Sequence, residues 1–162
     1  VTAVLSIGSN LGDRLAALQT AVDILDPMTV SPVYETAPVG GPSQPSYLNA
    51  VVICDLDAAT AWERAQRAEQ ALGRERTVRW GPRTLDVDLI VADGVPPSGI
   101  VLPHPRAHER AFVLLPWHDA DPDAVVPGHG RVADLLAAVG STGVDKREEL
   151  QLMSHHRSTE ES

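Results

Sequence analysis

Asp86 and Asp88 stand two residues apart in the stretch RWGPRTLDVDLI, which runs from Arg79 to Ile90. Around them Leu85, Val87, Leu89 and Val91 alternate with Asp86, Asp88 and Ile90, a period of two that predicts a strand. Residues i and i+2 of a strand share a face, with Cα atoms about 6.7 Å apart, so the two carboxylates project together while Leu85, Val87 and Leu89 fill the other side. Carboxylates on a half-buried strand are too costly to leave unpaired. They are answered either by an ion-pair network with nearby arginines, as on a charged edge strand, or by a cation that is not part of the chain. Two carboxylates at this spacing suit one Mg²⁺, or a pair of Mg²⁺ ions about 3.5–4 Å apart.

The cations beside them favour a polyphosphate. Six of the 13 basic residues, Arg64, Arg67, Arg74, Arg76, Arg79 and Arg83, fall within one stretch of an otherwise acidic chain. Arg64 and Arg67 also fit a helix face with an i,i+4 pair such as Glu63–Arg67, but Arg74 to Arg83 lie beyond that helix. Guanidinium forks hold phosphate oxygens in pairs while a metal screens their charge. A P-loop is excluded, because no G-x-x-x-x-G-K-[ST] occurs and the only lysine is Lys146. Gly8 to Gly12 (GSNLG) does not match G-x-G-x-x-G and reads as a βα turn. His104 and His108 are four apart, but neither H-E-x-x-H nor a cysteine pair supports zinc. His104, between two prolines, is better suited to donating to a phosphate or a ribose hydroxyl.

The elements that must position these groups can be read in order. Thr2–Gly8 predicts a strand, and Leu15, Leu18, Val22 and Leu25 recur at helical spacing behind Asn10 or Asp13 as cap. Pro27 closes that helix. Thr29–Thr36 predicts a strand with Pro32 at an edge or bulge, and Tyr47–Asp55 a stronger one. Asp57 caps a helix over 58–72 that Gly73 stops, and the acidic strand follows. The order β-α-β-β-α-β predicts an α+β, ferredoxin-like fold, with an antiparallel sheet and helices on one face. Helical pattern from about Ala107 and over Val132–Val139 predicts a C-terminal helical extension. Residues 1–144 are expected to form a single catalytic domain, and 145–162 a polar, flexible tail.

Bulk properties narrow the class. A chain of 162 residues buries a core without staples, and with 43% hydrophobic but 4% aromatic residues that core is built from Ala, Val and Leu. A net charge of −9 argues against nucleic acid and anionic membranes as partners. The lone Cys54, in an apolar run, reads as a small hydrophobe in a reducing compartment. Nothing at the N-terminus resembles a signal peptide, and no apolar run reaches membrane-spanning length, so a cytoplasmic protein is expected.

Five motifs in one order resemble the 6-hydroxymethyl-7,8-dihydropterin pyrophosphokinase family of folate biosynthesis: Ser6–Gly12, Tyr34–Gly40, Gln44–Asn49, Arg79–Asp88, and Leu102–Pro105 with Arg110–Val113. The resemblance implies a ferredoxin-like fold and transfer of diphosphate from ATP to a pterin alcohol, with release of AMP. It implies that Asp86 and Asp88 bind two Mg²⁺ ions and that Arg74 and Arg83 hold the phosphates and the transition state. Gln66, His104 and Arg110 match positions near the nucleotide. Tyr47 and Phe112 match two rings that sandwich the pterin, flanked by Trp80; Thr36 and Asn49 match groups at its edge, and Val39 lies in the matching loop. ATP and the pterin are then the partners, and a monomer is expected. Segments 40–46 and 73–80 are expected to close over the substrates.

Two other classes fit the element order. An RNA-binding module needs exposed aromatics on the sheet and a positive surface, which this composition opposes, and a ligand-sensing module leaves the acid pair without a purpose. Another D-x-D transferase, acting on a sugar, would want more polar edges than Tyr47 and Phe112 provide.

Overall fold

A computed structural model describes residues 1–37, 46–72 and 85–155 of the chain. β1 (Ala3–Ser9) leads to α1 (Arg14–Leu25), β2 (Thr29–Val30), β3 (Tyr34–Thr36), β4 (Tyr47–Cys54), α2 (Ala58–Ala71) and β5 (Asp86–Ala92). A 3₁₀ turn (Ala107–Glu109), α3 (Ala111–Ala120), a small β6–β7 hairpin (Val125–Val126, Gly130–Arg131), α4 (Val132–Val139) and β8 (Val144–Lys146) complete it. The main sheet runs β5-β1-β4-β3-β8, with β2 also paired to β4. Every pairing in it is antiparallel. This is the ferredoxin-like arrangement expected from the element order.

Local chemistry sets the boundaries. The Asp13 carboxylate accepts from the Ala16 N–H at 3.1 Å and starts α1. Asp26 ends it in the left-handed region at φ 50°, before Pro27. Asp57 caps α2 in the same way through the Thr60 N–H at 2.9 Å. Pro32 falls in the gap between β2 and β3, so the expected single strand over 29–36 is broken there.

Two apolar layers flank the sheet. On one side Ala3, Leu5 and Ile7 of β1 and Val87 and Leu89 of β5 pack with Leu18, Val22 and Leu25 of α1 and the Ala61, Ala65 and Ala68 stripe of α2. On the other side Val4, Val51 and Ile90 pack against Val113, Leu114 and Trp117 of α3, with Val132 of α4 behind. Helices therefore cover both faces, not one, because the C-terminal extension has its own apolar stripe to bury. Burial pushes the Cys54 thiol up to about 12, so it is an inert part of the core. Among the described residues no helix is long and apolar enough to cross a membrane.

Residues 145–155, where the sequence pattern begins a polar tail, are tied to the domain. β8 pairs with β3, the Arg147 N–H donates to the Val33 carbonyl at 2.9 Å, and Gln19 and Met153 exchange bonds of 2.9 Å. The attachment is made by the backbone, by ion pairs, and by Leu150 and Leu152, which pack against the core beside α1 and α2.

Candidate active site

The register of the sheet assembles the site. Asp86 lies opposite Gly8, Gly8 opposite Asn49, and Asn49 opposite Tyr34, a single row across four strands. One step along, Asp88 lies opposite Ser6; on the other side of the row, Tyr47 lies opposite Thr36. Paired residues share a face, and this is the face that carries Val4, Val51 and Ile90 beneath α3. The same strand thus sends Val87 and Leu89 into the core with α1 and α2 while Asp86 and Asp88, both partly buried, project on the opposite side. Two strand spacings, about 10 Å, separate Asp86 from Asn49.

Gly8 makes the row possible. A Cβ there would sit 2.8 Å from Asn49 Oδ1 and 3.6 Å from Tyr47 Cδ1. The bare backbone lets Oδ1 lie over β1, while Nδ2 donates to Thr36 Oγ1 on β3 at 2.7 Å. Asn49 is 6% exposed, so its orientation is fixed by that bond and by packing. Thr36, Tyr47 and Asn49 therefore meet as one patch. Gly8, expected at the end of the Thr2–Gly8 strand and the start of the Gly8–Gly12 turn, lies inside β1, which runs on to Ser9. Its signal was a glycine inside a strand pattern, which marks close approach of another group.

A second group gathers at the outer edge of β5. The His104 N–H donates to the Ile90 carbonyl at 2.7 Å, and His104 Nδ1 accepts from the Arg106 N–H at 3.2 Å. With Nδ1 accepting, the neutral ring carries its proton on Nε2 and presents a donor. Burial holds the imidazole below its ordinary value; Asp88 opposes that shift, and Arg110 and Arg106 add to it. His104 is thus within electrostatic reach of both Asp88 and Arg110. The Arg110 guanidinium carbon lies 5.5 Å from the centre of the Phe112 ring, which packs partly on the core under α3. His108 instead stacks on His129, with ring centres 3.8 Å apart and planes 8° from parallel.

Glu69 was not singled out from sequence. It is 9% exposed and accepts the Val87 N–H at 2.9 Å, holding β5 between the two aspartates. An acid on the alanine stripe of α2, one residue after Ala68, was the available signal. Gln66 lies on α2, across the sheet from the carboxylates, and is not brought into their patch. Arg74, Arg83, Trp80 and Val39 lie outside the described residues, as do 40–45 and 73–80 of the expected covers.

The donor set fits magnesium. Among the described residues no group of three or more His, Cys, Asp or Glu is placed to hold a metal, and Asp86 and Asp88 offer two carboxylates on one face of β5. That is how Mg²⁺ is held, by one or two carboxylates, with phosphate and water completing its shell. An oxygen-donor pair near a histidine donor, on one face with a ring, an amide and a hydroxyl, is suited to a phosphate chain at one end and a flat polar molecule at the other, as in a phosphate-transferring enzyme.

Comparison with known proteins narrows that class. The family model described as 7,8-dihydro-6-hydroxymethylpterin-pyrophosphokinase (HPPK) matches residues 4–122, and the chain belongs to this family. A Mycobacterium leprae protein named 2-amino-4-hydroxy-6-hydroxymethyldihydropteridine pyrophosphokinase is 49% identical over 154 residues, covering 83% of this chain and 81% of its own length. A Methylorubrum extorquens protein of the same name is 38% identical over 156 residues, covering 90% of this chain and 98% of its own. A crystal structure of Plasmodium falciparum HPPK-DHPS shares the fold at a TM-score of 0.64 and 12% identity, over 85% of this chain and 45% of that longer one.

Proposed function

We propose that the chain transfers diphosphate from ATP to the hydroxymethyl group of 6-hydroxymethyl-7,8-dihydropterin, releasing AMP. Family membership and the shared name of its relatives support the reaction. The observation that supports the site assignment is the row Asp86–Gly8–Asn49, with the acids and the amide on one face of the sheet.

In this reading Thr36 and Asn49 read the edge of the pterin, Tyr47 and Phe112 face its rings, and Trp80 and Val39 flank them. Arg74, Arg83, Arg110 and His104 hold the phosphate chain, with His104 donating from Nε2, and Gln66, on α2, is assigned to the nucleotide. Asp86 and Asp88 would hold two Mg²⁺ ions, which would screen charge on the phosphate oxygens. The hydroxymethyl oxygen attacks the β-phosphorus in line. A new O–P bond forms, the bond from that phosphorus to the α,β-bridging oxygen breaks, AMP carries away the electron pair, and the hydroxyl proton is released. Such transfers need alignment and charge stabilisation more than covalent help from the protein. A monomer is the proposed working unit. The cytoplasm, where ATP is at hand and Cys54 stays reduced, is the proposed compartment.

Asp86→Asn and Asp88→Asn test the assignment. Each should lower kcat at least about a hundredfold with the thermal midpoint retained. Folded variants that turn over normally would remove the carboxylates from the mechanism.

A further inference from the structure

Glu35 joins four stretches of chain. Its Oε2 accepts from Arg14 Nη1 at 3.0 Å and from the Ser46 hydroxyl, while Oε1 is bonded by Arg147 Nη1. Arg14 Nη1 also reaches the Ser46 carbonyl at 2.9 Å and the Ser46 hydroxyl at 3.0 Å. Arg147 is shared with Glu149, whose oxygens lie 3.1 and 3.3 Å from Nε. The Ser46 hydroxyl, and then Arg14 and Arg147, hold the Glu35 carboxyl below its ordinary value against the opposing effect of burial. It is therefore an anion at neutral pH.

The position of this cluster gives it a use. Glu35 immediately precedes Thr36, Ser46 immediately precedes Tyr47, and Thr36 and Tyr47 are partners across β3 and β4. The cluster lies on the far side of that strand pair from the patch, since Tyr34 and Asn49 are paired on the patch side and Glu35 is paired with the core residue Leu48. It clamps the backbone at both points from which the ring-side residues project. As stabilising ion pairs these contacts contribute little, because Glu35 and Arg147 are 25% and 34% exposed at their side chains. As a geometric clamp they matter more, because small displacements of a substrate-positioning group cost far more in rate than in stability.

We propose that Arg147, acting through Glu35, Arg14 and Ser46, is a positioning residue for Thr36 and Tyr47, so that the segment after β8 sets affinity for the pterin. This rests on the functional reading above. In the full chain, Arg147→Ala should raise KM for 6-hydroxymethyl-7,8-dihydropterin about threefold to tenfold, with KM for ATP within about twofold and the thermal midpoint close to wild type. Arg147→Lys should recover most of the loss, and Glu35→Gln should reproduce it without adding to it in the double variant. Glu149→Gln, which removes the other partner of Arg147, should match wild type. A pterin KM unmoved in folded Arg147→Ala overturns the inference, as do pterin and ATP KM values that rise together with a falling thermal midpoint. Absence of pterin-dependent AMP from the wild-type chain overturns the functional reading itself, and the inference with it. Wild-type turnover with an unmoved ratio overturns the inference alone.

Discussion

Replacing Gly8 with alanine probes the centre of the site with a single methyl group. The backbone of Gly8 is ordinary strand, so alanine meets no conformational strain there. The new Cβ would stand 2.8 Å from Asn49 Oδ1, where ordinary contact begins at 3.4 Å, so the amide must retreat by about 0.6 Å. It cannot retreat freely, because Nδ2 is held by Thr36 Oγ1 at 2.7 Å. Lengthening or losing that bond costs about 1 kcal/mol, which is about fivefold in an equilibrium constant. Stability should change little, since alanine in a strand interior gains about 0.5–1 kcal/mol over glycine and offsets part of the crowding. Steady-state kinetics with each substrate varied in turn should show pterin KM up about fivefold, ATP KM within about twofold, and a thermal midpoint near wild type. A folded Gly8→Ala with unchanged pterin KM, or one impaired for ATP alone, would refute the row as the pterin-side floor.

Glu69 and His104 give two further expectations. Glu69→Ala leaves the Val87 N–H without its acceptor at 2.9 Å. It should cost about 1–3 kcal/mol in urea denaturation and lower kcat by loosening the strand between Asp86 and Asp88, whereas Glu69→Gln, which keeps an acceptor, should lose less. His104 should titrate below its ordinary 6.5 in the free protein, because burial and the Arg110 and Arg106 charges outweigh Asp88. Unfolded chain then binds the proton more readily than folded chain, so this group's contribution to stability is present above pH 6.5 and declines as pH falls through it. Asp88→Asn removes the opposing charge and should lower the midpoint further by NMR; a wild-type midpoint above 6.5 contradicts the described environment.

Much of the positioning scaffold was legible because it depends on local chemistry. The alternation from Leu85 to Leu89 separates acid face from core face by parity alone, and Asp13, Asp57 and Pro27 mark helix ends by the groups they offer or lack. Register was not legible, because a period of two assigns a face but not a partner. That Asp86 falls opposite Gly8, and Gly8 opposite Asn49, depends on the pairing of β1 with strands far along the chain. Glu69 was hidden for a related reason: an acid late in a polar helix reads as solvated until β5 is seen to offer it an N–H. The stretch from Asp145 to His155 was read as loose because charged residues without periodicity bury no core. It is held by pairing with β3, by Glu35, and by Leu150 and Leu152 against the core, and two leucines two apart in a charged stretch are too few to announce that packing.

The most direct test of the whole account is product analysis of the wild-type chain with ATP, Mg²⁺ and 6-hydroxymethyl-7,8-dihydropterin, resolving AMP from ADP. AMP formed one for one with pterin diphosphate, and lost on chelation of the metal, is the predicted result. ADP with a pterin monophosphate, or no pterin-dependent turnover from folded protein, would contradict it.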